Sequence, residues 1–224
     1  WLTQHLEHYG THARLPLYVV AEKILSENEP LPQDWTVHGT TGYDFLNDTL
    51  GILIDQQNER AFDRLYQQFT EQQHDFANLV NRTKKQIMNV ALASEIYELS
   101  YQLERIAETH RRYRDFTLNT LTLALREVIA CLPVYRTYVT EDGVMQARDQ
   151  DFVQDAVQEA RRRNPIIADA LFDFLETALT LQNLHEFHPD VQQRLIHLVL
   201  KFQQITSPVM AKGLEDTAFY IYNR

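Results

Sequence analysis

From Asp44 to Leu132 apolar side chains return every three or four residues, and this long helical period constrains the fold more than any other feature. Between Asn58 and Phe69, the side chains of Ala61, Leu65 and Phe69 fall on one side of a helix. From Ala77 to about Arg112, Leu79, Val80, Ile87, Leu99 and Leu103 predict one long helix or two in near-continuity. Leu118, Leu121, Leu125 and Val128 carry the pattern on to Leu132. With 7 prolines and 6 glycines in 224 residues, the chain has too few breakers for a turn-rich β architecture. Further helices are predicted over 150–162 and from Pro189 to about Ile205. Asn164-Pro165 reads as the cap and first position of another.

Three segments depart from that period. Residues 17–22 (Leu17-Tyr18-Val19-Val20-Ala21-Glu22) are mostly apolar and end in charge, with Pro16 before them. Residues 134–139 alternate aromatic and β-branched side chains, and 208–211 form a third strand candidate. The expected fold is mainly α with a few short β-strands, a partial (β/α)8 barrel carrying a large helical insertion. The expected divisions are 1–43 (strand and loop), 44–132 (helical insertion) and 133–224 (further strands and helices). A parallel strand that stops at a carboxylate delivers an acid to a barrel mouth. Glu22 near one end of the chain and Asp216 near the other suggest two acids meeting at one site, as glycoside chemistry requires. Each also has a plain reading: Glu22 as a surface acid ending a strand, Asp216 with Thr217 as a helix cap.

A formal net charge of −10 argues against a general nucleic-acid binder, which needs a basic surface. The single cysteine, Cys131, permits no internal disulfide and fits a reducing cytoplasm; its apolar neighbours mark it as a small buried hydrophobe. No run of about 18 apolar residues is present to span a membrane, and the first residues lack the charged-then-apolar design expected of a signal peptide. A start at Trp1 agrees with an excised piece.

Ala21-Glu22-Lys23-Ile24-Leu25, Leu31-Pro32-Gln33-Asp34-Trp35 and the stretch from Gly39 to Phe45 resemble the maltooligosyltrehalose synthases, within the α-amylase superfamily. Pro133 to Val139 and Ala211-Lys212-Gly213-Leu214-Glu215-Asp216-Thr217-Ala218-Phe219-Tyr220 echo the same family in the same order. The resemblance implies that Glu22 is the general acid/base and Asp216 the carboxylate that steadies the oxocarbenium-like transition state. It also implies an internal piece of a larger enzyme, because nothing here corresponds to the family's nucleophilic Asp. The chain alone is therefore expected to be inactive, with the rest of the parent catalytic domain as its partner and a maltooligosaccharide as substrate. No cofactor or metal is required by that chemistry.

Candidate sugar contacts are Lys23 beside the acid, Thr40, Thr41, Tyr43 and Asp44 in the glycine-bounded loop, and Arg136 and Lys212. The loop also reads as a turn feeding a helix capped by Asp44, and the two cations as solvated segment ends. Tyr135 and Tyr138 read equally as core. His185 and His188 lack the spacing of a helical zinc motif and read as a loop between helices. Arg161-Arg162-Arg163 reads as a solvated helix end. Two other readings stay open: an amylase-like α-glucan hydrolase, and a helical structural or interaction domain.

Overall fold

The computed structural model describes residues 17–26, 29–72 and 75–222; Trp1 and Pro16 lie outside them. The chain divides into two compact units, Trp1–Arg64 and Leu65–Arg224.

In the first unit an extended segment from Leu17 runs beside the loop at His38–Thr41. The His38 amide donates to Val19 O (2.7 Å), Ala21 N to Gly39 O (2.9 Å) and Thr41 N to Ala21 O (3.0 Å). Together these make one isolated parallel bridge, between Ala21 and Thr40. Gly42, at φ 111°, turns the chain into helix α1 (Tyr43–Gly51); that left-handed backbone is open to glycine at little steric cost. A short 3-10 turn at Gln56–Asn58, capped by the Asp55 side chain, leads into α2 (Glu59–Thr70), which continues into the second unit.

The second unit is a helical assembly: α3 (Phe76–Val90), α4 (Ala93–Ala107), α5 (Leu118–Cys131), α6 (Ala147–Arg163), α7 (Asp169–Thr180) and α8 (Pro189–Met210). Its core is apolar, built on Met88, Leu99, Leu125, Phe172, Phe174 and Phe202, all essentially unexposed. Helix starts follow local chemistry. The Asp75 carboxylate accepts from Asn78 N at the head of α3, Thr117 and Thr120 form a reciprocal capping box on α5, and Pro189 with Asp190 opens α8. Asn164 closes α6 and opens nothing: its amide donates back to Ala160 O (2.9 Å) and to Glu127 (2.9 Å). Pro165 disfavours helical geometry in the residue before it, so α6 ends at Arg163; α7 begins at Asp169.

The partial barrel is overturned. The described residues are helical apart from irregular segments and hold no sheet. Residues 17–22 make only the single bridge to Thr40. Residues 134–139 form an irregular segment, bent at 134 and 135, with no strand beside it. The buried Gln203 side chain stands in for one, accepting from Val139 N (2.9 Å) and donating to Val139 O (3.0 Å). Asp149 accepts from Tyr138 N (2.6 Å). Residues 208–211 are helical, since α8 runs through Pro208 to Met210. Leu198, Phe202, Ile205 and Val209 keep one buried face across the proline, so packing outweighs the lost backbone hydrogen bond. Strand preference depends on neighbours to pair with, and none are present here.

Candidate functional site

In the first unit, the bridge at Ala21 sets Glu22 one residue further along, in register with Thr41. Glu22 is exposed. Lys23 is turned inward, its ammonium 2.6 Å from the Glu29 carboxylate, with both side chains nearly inaccessible. Glu29 also accepts from Ser26 N (3.2 Å), which pins the turn after the acid. A buried pair of this kind is costly to break from one side, because it strands the other charge.

Thr40 links this segment to α1. Its hydroxyl donates to the Asp44 carboxylate and accepts from Gly42 N (3.1 Å). That hydroxyl holds the Asp44 carboxyl below the usual range, so it stays ionised at lower pH than an ordinary aspartate. Asp44 sits in the first turn of α1, behind Gly42 as cap, where its charge suits the helix dipole. Tyr43 is half-buried at the same helix start and Thr41 is exposed. The local fold thus gathers Glu22, Thr40, Thr41, Tyr43 and Asp44 around one chain reversal. His38, absent from the sequence reading, belongs to this reversal too: its Nδ1 accepts from Val19 N (3.2 Å) and its ring lies 4.9 Å from that of Tyr18.

In the second unit, Lys212 and Asp216 lie on a π-helix, Ala211–Ala218, that continues directly from α8. Wide helical turns of this kind are rare and recur at functional sites. Lys212 Nζ is 3.0 Å from the Asp216 carboxylate, both side chains being more than half exposed. Thr217 donates to Lys212 O (2.7 Å), tying the wide turn across itself. Glu215, one residue before Asp216, accepts a hydrogen bond from the Tyr135 hydroxyl. Arg136 lies over the Tyr138 ring, 5.0 Å from its centroid, and its Nε donates to Thr137 O (3.1 Å). The Tyr135–Glu215 link escaped the sequence reading, although both residues stood in the blocks it singled out; nothing in the spacing pairs residues so far apart.

The cavity between α4 and α8, about 490 Å³ and lined by Tyr101, Arg105, Arg194 and His197 among others, contains none of the candidate residues. His185 falls in a short 3-10 turn, Leu184–Glu186, and His188 caps α8. Among the described residues no three metal-ligating side chains gather. No helix among them is long and apolar enough to cross a membrane.

No family model and no curated protein matches the chain. Among solved structures it is similar to enzymes named for making glycosyl trehaloses. It matches maltooligosyltrehalose synthase from Arthrobacter ramosus with a TM-score of 0.72 and 26% identity, over 98% of this chain and 25% of that one. A mutant of the same enzyme gives 0.73 at the same identity and coverage. A glycosyltrehalose synthase matches with a TM-score of 0.59 and 25% identity, over 98% of this chain and 23% of that one. The chain thus spans about a quarter of the length of the solved structures that it matches. The resemblance read from the blocks around Glu22, Gly39–Phe45 and Asp216 is borne out.

Proposed function

We propose that this chain is part of an intramolecular glycosyl-transferring isomerase. The enzyme would convert the reducing-end α-1,4 bond of a maltooligosaccharide into an α,α-1,1 bond, giving a maltooligosyltrehalose. The observation that carries the reading is the likeness to the trehalose-forming synthases along 98% of the chain.

In this reading Glu22 protonates the glycosidic oxygen as the bond breaks, while a nucleophilic carboxylate from elsewhere in the longer protein takes the glycosyl group. Asp216 steadies the positive charge that develops on the sugar ring. The departing glucose is held and reoriented, and Glu22, now ionised, takes the proton from its anomeric hydroxyl. Two inversions retain configuration. Thr40, Thr41, Tyr43, Asp44, Arg136 and Lys212 are the candidate contacts to sugar hydroxyls. Lys23, occupied by Glu29, reaches the substrate only through the acid that it adjoins. Water must be excluded, since hydrolysis of the same intermediate competes.

The remainder of the longer polypeptide is the proposed partner. Phe62, Leu65 and Phe69 follow one another along α2 and are all exposed, with Ile52, Leu53 and Ile54 exposed just before it. So dense an apolar surface is uncommon on a free-standing protein and marks a surface that something covers. The chain alone is expected to be inactive, for want of the nucleophile.

The test is a reducing-end assay of the longer protein with maltohexaose. Reducing ends fall while no free glucose accumulates if the reading holds. A rise in reducing ends means an amylase-like hydrolase, and no change removes the enzyme reading.

A further inference from the structure

We propose that Lys84 is a positioning residue that indexes the acid-bearing π-helix against the irregular segment at Pro133–Val139. This goes beyond the functional reading above and rests on it only for the role of Asp216. Lys84 is on α3 and is almost fully buried. Two separate contacts make it a spacer between the elements that carry the candidate residues of the second unit.

The first contact is backbone on backbone. A Cβ placed on Gly213 would stand 2.8 Å from Lys84 Cα, 2.8 Å from its Cγ and 3.0 Å from its N. The π-helix therefore rests directly on α3 at this residue, and only glycine allows that approach. Gly213 lies between Lys212 and Glu215-Asp216, so the height of those side chains is set by where the glycine lands. The second contact is at the other end of the same side chain. Lys84 Nζ donates to Leu132 O (2.9 Å), the carbonyl that closes α5 and immediately precedes Pro133. A cation on the last carbonyls of a helix is favoured by the dipole. One turn earlier on α3, Asn81 reaches Cys131 Sγ (3.6 Å), a weaker tie to the same helix end.

The loop of contacts then closes. Leu132 leads to Tyr135, whose hydroxyl donates to Glu215 on the π-helix. Lys84 thus fixes both ends of that hydrogen bond, the glycine side through its stem and the tyrosine side through its ammonium. Burial pushes the Lys84 amine down to about 8, the cost of keeping a lysine in so buried a place. A leucine or methionine would fill that space without the desolvation, so the donor at Leu132 O is the feature that needs a lysine.

The test compares Lys84→Met with wild type in the longer protein, reading kcat, KM and amide hydrogen exchange. Lys84→Met keeps the stem and removes the donor. The expected result is kcat lower by about 10- to 100-fold, since small displacements of a catalytic group cost up to about 10²-fold, with KM within about twofold. Exchange should quicken over 133–139 and, through the Tyr135–Glu215 bond, over 211–218, and leave 118–131 as in wild type, and Lys84→Arg should restore more of kcat than Lys84→Met. An unchanged kcat, or exchange that quickens evenly along the whole helical unit, overturns the proposal. Should Lys84→Met not fold, Gly213→Ala disturbs the other contact of the same residue, at its stem, and must give the same split. Should the longer protein prove to have no synthase activity, the functional reading fails by itself, and exchange over 211–218 alone decides the role of Lys84.

Discussion

The two carboxylates singled out here are held in opposite ways. Glu22 follows a segment that makes one β-bridge, in a unit whose candidate residues are organised by neighbours within a few positions: Thr40 with Asp44, Lys23 with Glu29. Asp216 rides on a π-helix joined to a 22-residue helix and seated on α3, in a unit with an apolar core. Local chemistry and one β-bridge place the first group of residues; helix packing places the second. Side chains near Glu22 should therefore tolerate perturbation of the helical core, whereas those near Asp216 should not.

The largest expected effect is on chemistry. Glu22→Gln in the longer protein should lower kcat by about 10³-fold or more, in the upper range for loss of a general acid. Retention of a tenth of the activity would remove Glu22 from the mechanism. Next comes a change confined to the second unit. Gln203→Leu strands the amide and carbonyl of Val139, both formerly paired by one side chain. At about 1–3 kcal/mol for each buried unpaired group, denaturant unfolding of that unit should lose roughly 2–6 kcal/mol. A loss under 1 kcal/mol would mean that the irregular segment finds other partners.

Smaller and more diagnostic is the pH dependence. The Lys84 amine is depressed in the folded state, so between about pH 8 and its ordinary value near 10.5 the unfolded chain binds more protons. Its contribution to stability is therefore fully present above the ordinary value and is lost as pH falls through about 8. Cys131 works the other way: burial raises its thiol to about 11 from an ordinary value near 9. Its contribution is present below 9 and lost as pH rises through about 11. Wild type minus Lys84→Met isolates the lysine, and that difference should move in favour of wild type as pH rises from 8 to 10. The opposite sign would contradict the burial of the amine. The smallest effect belongs to Lys212→Ala, where an exposed ion pair of 3.0 Å is removed; unfolding should change by less than about 1 kcal/mol.

The same contrast governs what could be read in the sequence. The helices were legible because a buried face repeats along them, and Pro189 announces the start of α8 by local chemistry; the caps at Asp75 and Thr117 were not read from the sequence. The reversal at Gly39–Asp44 was legible for a similar reason, since its turn residues act on their neighbours. The expected barrel was not there to be read. Residues 134–139 do carry strand-like composition, yet their backbone is paired by Gln203, a side chain more than sixty residues away. Residues 208–211 read as a strand candidate, and only the buried stripe from Leu198 to Val209 shows why the helix runs on through Pro208. Glu22 and Asp216 were picked out by resemblance and by their place at the ends of apolar runs. Lys23-Glu29, Tyr135-Glu215 and Lys84-Gly213 were invisible, being pairings that no spacing rule predicts.

The most direct measurement is proton NMR of the longer protein acting on maltohexaose, run beside its Glu22→Gln variant. The account predicts that wild type replaces the reducing-end anomeric signals with one from an α,α-1,1 linkage and that the variant leaves them unchanged. New reducing ends without that linkage, or an active variant, would contradict it.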